Sequence, residues 1–234
     1  MAYLKFISDK DLVIAVGKVV GVIENAERNS DTKLHKNVVD PFSALFHGAT
    51  HAMPYKEWIK QEKTRQIQKT MQNAIGDFHQ DILGSVKNWR NLGMGGGLDV
   101  VSKKEKIIAE IKNKFNTTKG NHRAEVYDSI KTKIKSKEYI GYTGYYVEVI
   151  SQGKNKYDKP FVPPDNKTKK NRPTNKKIRV IDGVSFYALS TKRPKALQEL
   201  FHAIPRVLAD NYKYNMKKEH IEEYYELFKK AFST

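Results

Sequence analysis

Cysteine is absent from the 234-residue chain, and long hydrophobic runs are missing as well. Without cysteine the protein forms no disulfide and no thiolate metal site, which fits a reducing, cytoplasmic compartment. No stretch approaches the roughly eighteen apolar residues that a transmembrane helix needs, so no membrane association is expected. The opening residues, MAYLKFISDKDLVIAV, place charges where a signal peptide is apolar, and we expect no export signal.

Acidic residues are scarce relative to basic ones. The chain has 26 aspartates and glutamates against 43 lysines and arginines, for a net charge of +17. Such an excess attracts polyanions over long distances, so nucleic acid is the first partner to consider. The plainer interpretations are a solubilising surface or a protein that coats RNA.

Helical spacing of apolar residues dominates the first third of the chain. A capping box at Ser8 precedes a helix predicted from about Asp9 to Glu27. Pro54 opens a second, long helical region, with Gly76 as a candidate break. Residues 1–92 are therefore expected to be helical.

Strand-like segments follow: LDVV, KIIAEIK, GYTGYYVEVIS and IRVIDG. The segment NHRAEVYDSIKTKIKSKEY between them has the pattern of an amphipathic helix. From Ser185 to Thr234 the pattern is helical again, with Pro194, Pro205 and Asn215 as interruptions. We predict one α/β domain over residues 1–234, with a core at 93–183 and a helical part at 184–234.

Residues 154–177 differ in character from the rest of the chain. They hold nine lysines and arginines against two aspartates, together with four of the eight prolines. No hydrophobic period is present, so we predict a long basic loop that contacts DNA. The alternative is a disordered, solvated run of charge.

The candidate catalytic residues are concentrated in GGGLDVVSKKEKIIAEIKNK, residues 95–114. Side chains two residues apart in a strand point the same way, so Glu110 and Lys112 share one side and Ile111 lies on the other. Residues 102–106 can fold the chain back and bring Asp99 beside Glu110. The glycines Gly95, Gly96 and Gly97 would permit a sharp turn or a close approach of the backbone to a phosphate.

Two adjacent carboxylates repel each other unless a cation joins them, and oxygen ligands suit Mg²⁺. We predict a Mg²⁺ site at Asp99 and Glu110, with the carbonyl of Ile111 as a further ligand. Lys112 would orient or deprotonate an attacking water and stabilise the transition state of phosphodiester hydrolysis. The alternative is an amphipathic hairpin with a solvated Glu–Lys pair.

Polar residues after this strand could hold the DNA backbone. Short polar groups and helix N-termini commonly bind phosphates, and a plain turn into the next helix is the alternative. The predicted contacts are Asn113, Lys114, Asn116, Thr117, Thr118 and Arg123.

The arrangement of Asp99, Glu110 and Lys112 resembles the PD-(D/E)XK nuclease signature, although Leu98 stands where the signature has proline. The segments KNVVDPFSALF, EWIKQEKTRQIQKTMQNAIGDFHQDILGS, IIAEIKNKFNTTKG and IRVIDGVSFYAL are similar to one group of bacterial type II restriction endonucleases. That group cuts GGNCC or GGWCC sites. The similarity covers nearly the whole chain.

This resemblance implies a restriction-endonuclease-like core, in which a small mixed sheet is flanked by helices, with extra N- and C-terminal helices. It implies a Mg²⁺-dependent homodimer that cuts a palindrome in double-stranded DNA and leaves 5′-phosphate ends. It also implies a host DNA methyltransferase that forms no stable complex with the enzyme.

The resemblance extends to further residues. In the superfamily a polar or acidic side chain from the preceding helix reaches the metal-bound waters, and here Gln80 and Asp77 are the candidates. A GG-containing site requires donors to guanine O6 and N7, for which Lys169, Lys170 and Arg172 are the candidates. Two other functions stay open: a repair or junction-resolving nuclease on the same core, and a basic nucleic-acid-binding protein without catalysis.

Overall fold

The computed structural model describes residues 2–34, 36–93, 97–117, 120–165 and 168–232. By internal contacts the chain divides into two compact units. One unit comprises the residues up to Val16 together with those from His79 onward, and the other comprises Gly17–Phe78. The prediction of a single domain stays a prediction.

Four helices precede the sheet: α1 Asp9–Arg28, α2 Ser30–Leu34, α3 Pro41–Thr50 and α4 Tyr55–Gly84. The predicted cap at Ser8 is present, because the Ser8 hydroxyl accepts from the backbone N–H of Asp11 at 3.1 Å and donates to the Asp11 carboxylate at 2.6 Å. The candidate break at Gly76 is wrong, since α4 continues through it. A single glycine costs a helix only about 1 kcal/mol.

A six-stranded mixed sheet forms the centre of the second half. Its strands are β1 Arg90–Asn91, β2 Val100–Ser102, β3 Ile107–Lys114, β4 Thr143–Ile150, β5 Asp158–Pro160 and β8 Ile178–Asp182. Their order across the sheet is β1-β2-β3-β4-β8-β5. The three central strands β3, β4 and β8 run parallel, and the outer pairings are antiparallel. The carboxyl ends of the central strands therefore meet at one edge of the sheet.

Helices cover both faces of this sheet. Helix α5, Gly120–Lys135, packs Tyr127 and Ile130 into a core with Ile108 of β3 and Tyr146 of β4. The approach is close, because a Cβ on Gly144 would lie 2.1 Å from the Cγ2 atom of Ile130. The predicted α/β fold with flanking helices is confirmed.

On the opposite face, α6 (Gly183–Thr191) places Phe186 against Tyr145 and Trp89, with ring centroids 5.8 and 5.5 Å apart. Helices α7, Ala196–Tyr212, and α8, Lys218–Phe232, complete the chain. Pro205 was expected to interrupt this region but lies inside α7. Over the described ranges, no helix combines the length and apolarity that crossing a bilayer requires.

The segment 154–177 is not the featureless loop that its composition suggested. It contributes the edge strand β5 to the sheet, and it forms a separate two-stranded hairpin from β6 Pro164–Asp165 and β7 Lys170–Asn171. Phe161, which lies between β5 and β6, is 1% exposed and stacks on Tyr146 with ring centroids 4.7 Å apart. Strands of two or three residues are too short to show a hydrophobic period, which explains the wrong prediction.

Candidate active site

Asp99 immediately precedes β2 and lies across from Glu110 of β3. Its backbone N–H donates to the carbonyl of Ala109 at 2.9 Å, which extends the β2–β3 ladder by one residue. Its Oδ2 atom accepts from the backbone N–H of Ile111 at 2.6 Å. The carboxylate is thus fixed against the strand that carries Glu110. Gly97, two residues earlier, has φ +75°, a conformation that favours glycine.

Glu110 and Lys112 share the α5 face of β3, Glu110 in the middle of the strand and Lys112 in its carboxyl half. Glu110 Oε1 lies 2.7 Å from Lys112 Nζ, and the two side chains are 16% and 30% exposed. Burial alone would lower the pKa of Lys112, but the hydrogen bond to Glu110 and the charges of Glu110 and Asp99 hold that pKa above its ordinary value. Lys112 is therefore an ammonium at neutral pH. The structure brings the three predicted residues together.

Sequence reasoning missed Glu148, which lies opposite Lys112 in the β3–β4 register. Glu148 is 4% exposed, and its two oxygens accept from the guanidinium of Arg123 and the hydroxyl of Tyr157. Burial first, and then the hydrogen bond to Glu148, raise the pKa of Tyr157. The signal was present in YYVEVIS, where a lone acid occupies the same side of the strand as Tyr146.

The third position in this row is Asp182 of β8, which pairs with Glu148. Its Oδ1 atom accepts from the N–H of Ser185 at 2.9 Å and caps α6, and its Oδ2 atom accepts from the N–H of Tyr157 at 2.7 Å. Glu148 and Asp182 thus serve to hold neighbouring segments at the carboxyl edge of the sheet.

The carboxylates of Asp99 and Glu110 and the main-chain carbonyl of Ile111 are oxygen donors of the kind that a small divalent cation prefers, and their role as ligands stays a prediction. Within the residues that the structure describes, no group of three or more His, Cys, Asp or Glu side chains forms a metal cluster. Mg²⁺ commonly keeps several waters and needs only one or two protein carboxylates, so a two-acid set is chemically sufficient.

The polar segment after β3 forms a turn beside this edge. The N–H of Phe115 donates to the carbonyl of Ile150 at 3.0 Å, and the hydroxyl of Thr117 donates to the carbonyl of Lys114 at 2.6 Å. Asn113 and Lys114 are half-buried, whereas Asn116 and Thr117 are exposed. Gly95, Gly96 and Thr118 lie outside the described residues.

The candidates for contact with metal-bound waters lie on α4, with Gln80 half-buried and Asp77 exposed. Their neighbour Asp81 is the acid that contacts the sheet, since its Oδ1 accepts from the side-chain amide of Asn91 at 3.0 Å. A role for Gln80 or Asp77 at the metal stays a prediction.

The predicted DNA-binding cations divide into two kinds. Lys169 and Lys170 are exposed on the hairpin β6–β7. Arg123 is paired with Glu148, and Arg172 is paired with Asp128 and Asp165. The structure therefore presents the two lysines to solvent and engages the two arginines with carboxylates of the same chain.

A mixed sheet with two acids and a lysine on its edge is typical of the PD-(D/E)XK nucleases. The sequence profile of the Eco47II restriction endonuclease family matches residues 4–213. The chain is 39% identical over 210 residues to the type II restriction enzyme Eco47II of Escherichia coli, covering 89% of this chain and 87% of that enzyme. It is 30% identical over 213 residues to the type II restriction enzyme Sau96I of Staphylococcus aureus, covering 89% of this chain and 80% of that enzyme.

The chain therefore belongs to the Eco47II restriction endonuclease family. The resemblance drawn from the sequence motifs is confirmed at the level of the family, and the protein is a type II restriction endonuclease. The roles of its individual residues remain predictions.

Proposed function

We propose that this enzyme hydrolyses both strands of double-stranded DNA at a short palindromic GGNCC-like site, with Mg²⁺ as cofactor, leaving 5′-phosphate ends. The observation that carries the proposal is the convergence of Asp99, Glu110 and Lys112 beside β3, towards the carboxyl ends of the central parallel strands. In open α/β sheets this edge is where ligands commonly bind. The net charge of +17 supports DNA as the ligand.

Asp99, Glu110 and the carbonyl of Ile111 would hold the cation. When bound there, Mg²⁺ would supply Lewis-acid polarisation of the scissile phosphate and a more acidic water. Lys112 would orient or deprotonate the attacking water and would stabilise the charge that develops on the phosphate oxygens.

The polar groups at the end of β3 and in the turn after it support contacts with the DNA backbone. Asn113 and Lys114 are the last two residues of β3, and Asn116 and Thr117 are exposed in the turn that follows. The exposed lysines of the hairpin, Lys169 and Lys170, support contacts in the groove. The host would protect its own sites with a DNA methyltransferase that forms no stable complex with this enzyme.

A palindromic target fits a two-fold homodimer with one active site per strand. Two helical surfaces support it. On α3, Phe42, Leu45 and Phe46 are 70–73% exposed, and on α8, Leu227 is 59% exposed. Sedimentation of Phe46→Glu and Leu227→Glu would identify the surface, since only the variant on the dimer interface should sediment as a monomer. If both variants still sediment with the mass of a dimer, neither surface is the dimer interface.

The decisive assay incubates the purified protein with a long DNA duplex in Mg²⁺, Ca²⁺ or EDTA. Discrete fragments in Mg²⁺ alone support the proposal, and sequencing their ends gives the site and the 5′-phosphate. A smear or cutting of junctions alone would indicate another nuclease of the same core. No cutting under any condition would indicate a protein that only binds nucleic acid.

Lys112→Ala tests the assignment of the site. We expect cleavage to fall by about 100-fold or more while binding to DNA in Ca²⁺ is retained. Lys104→Ala is the matched control, because Lys104 is an exposed lysine in the turn between β2 and β3. If Lys112→Ala cuts like Lys104→Ala, Lys112 is not catalytic.

A further inference from the structure

The hairpin β6–β7 is small, basic and separate from the main sheet. Pro164 pairs with Asn171 and Asp165 pairs with Lys170. Lys170 and Asn171 of its second strand are exposed, and so is Lys169 in the turn just before them. A two-stranded ribbon is one of the shapes that the DNA major groove admits.

Arg172 follows the hairpin directly and joins it to α5. Its Nη2 and Nε atoms donate to the two oxygens of Asp128 at 2.6 and 3.1 Å, and its Nη1 atom donates to Asp165 at 2.6 Å. The bidentate fork that Arg172 offers to Asp128 is the geometry an arginine would need for guanine O6 and N7. Arg172 cannot satisfy a carboxylate and a guanine with the same fork.

Two hydrogen bonds to main-chain carbonyls reinforce the same junction. The N–H of Arg172 donates to the carbonyl of Pro163 at 2.9 Å, which closes the base of the hairpin. The hydroxyl of Tyr127 donates to the carbonyl of Pro173 at 2.7 Å. Tyr127 is 1% exposed and belongs to the core under α5. The hairpin is thus anchored to two consecutive residues of a helix that is itself packed on the sheet.

Helix α5 also reaches the candidate active site. Arg123, in its first turn, binds Glu148, which lies opposite Lys112 in the sheet. Asp128 is five residues further on, or about 7.5 Å along the helix axis. One rigid helix therefore connects the edge that would cut DNA with the hairpin.

We propose that Arg172 is a positioning residue that clamps a preformed DNA-reading hairpin to α5, and that base reading falls to the exposed residues Lys169, Lys170 and Asn171. This inference rests on the proposed function and replaces the direct contact between Arg172 and guanine expected from the sequence. The carboxylates of Asp128 and Asp165 serve the clamp, which explains two acids beside so basic a segment.

Binding to DNA in Ca²⁺ tests the clamp through the ratio of affinities for specific and non-specific duplexes. Arg172→Lys keeps the charge but loses the fork, and Asp128→Asn removes the charge of its partner. Each substitution should lower this ratio of affinities by about tenfold or more. The ratio for the double variant should be no lower than the ratio for either single variant. Lys176→Ala, an exposed lysine in the same segment, should leave the ratio unchanged.

The opposite pattern would overturn the proposal. If Arg172 reads guanine, Arg172→Lys loses specificity while Asp128→Asn keeps or improves it, because the arginine is released. Melting temperatures of the variants should match that of the wild type, so that a change in the ratio reports positioning and not unfolding. Lys170→Ala should lower the ratio without altering the clamp.

Limited trypsin digestion tests the clamp without DNA. Cleavage between Lys169 and Lys170 should be slow in the wild type and in Lys176→Ala, and several-fold faster in Arg172→Lys and Asp128→Asn. Equal rates in all four proteins would refute the clamp even if the enzyme cuts DNA as proposed. Absence of Mg²⁺-dependent cutting by the wild type would refute the proposed function and leave the digestion result standing.

Discussion

The ion pair of Arg123 and Glu148 gives a sharp prediction about the support of the candidate site. Replacing Arg123 with methionine removes the cation and keeps much of the side-chain volume. In the wild type the guanidinium donates to Glu148, which also accepts from Tyr157. The guanidinium carbon lies 5.1 and 5.4 Å from the ring centroids of Tyr146 and Phe161. After the substitution, the almost fully buried carboxylate of Glu148 keeps one hydrogen-bond donor, the hydroxyl of Tyr157.

The cost follows from that burial. The side chains of Arg123 and Glu148 are 25% and 5% exposed, so solvent screens the pair only weakly. Removing one partner of a buried pair costs about 3–5 kcal/mol, because the other charge stays buried without compensation. Tyr157 continues to donate, so we expect the low end, about 3 kcal/mol. A domain of ordinary stability, about 5–15 kcal/mol, survives this loss and remains measurable.

A double-mutant cycle measures the interaction. Urea unfolding of the wild type, Arg123→Met, Glu148→Gln and the double variant gives four free energies of unfolding. The double variant should be more stable than the sum of the two losses predicts, by about 1–3 kcal/mol. Lys229→Met is the control, since Lys229 pairs with Glu226 on an exposed helix face and should leave stability nearly unchanged.

The same variants separate support of the fold from contact with DNA. If Arg123 binds a phosphate, Arg123→Met should reduce the slope of log affinity against log salt by about one. If the ion pair is its role, the slope is unchanged and only stability falls. A loss under about 1 kcal/mol with additive free energies would refute the reasoning.

Two further predictions concern the core. Burial lowers the pKa of His79 from 6.5 to about 4. Below pH 6.5 the unfolded chain therefore binds a proton at His79 that the folded chain does not bind. The free energy of unfolding is highest above pH 6.5 and falls as the pH is lowered towards 4. Between pH 7 and 4.5 we expect a loss of about 2–3 kcal/mol that is absent in His79→Gln, and equal pH profiles in urea unfolding would contradict it. Gly183→Ala should lower the melting temperature markedly, because its Cβ would lie 2.4 Å from the carbonyl oxygen of Val149. Gly21→Ala, with no atom within 4 Å of the new Cβ, is the control, and equal melting temperatures would show that the close contact relaxes.

The local parts of the fold and of the candidate site could be predicted from the sequence. Alternation along β3 places Glu110 and Lys112 on one face, and a short connection returns Asp99 to within a hydrogen bond of Ile111, only 12 residues away. Caps and apolar periods likewise gave α1 and α5. A contact between residues this close in sequence depends on the period of a strand and the length of a turn, and both can be inferred from the sequence.

The partners of Arg123 and Arg172 could not be predicted. Glu148 lies 25 residues from Arg123, and Asp128 lies 44 residues from Arg172. Both contacts depend on how α5 packs across parallel strands whose register is set by tertiary structure. From composition alone, a basic residue in a basic chain is predicted to contact DNA. Only the packing shows that its charge is already paired with a carboxylate of the same chain.

By itself, the sequence determined the chemistry available to this protein: a charge that draws in polyanions, and two acids and a lysine in a strand pattern that places them side by side. Tertiary structure decided which cations are already paired with carboxylates of the same chain, because it buried Glu148 against Arg123 and joined Arg172 to α5. The physical reason is that strand alternation acts between neighbours, whereas compensation of a buried charge requires whatever partner the fold brings within reach.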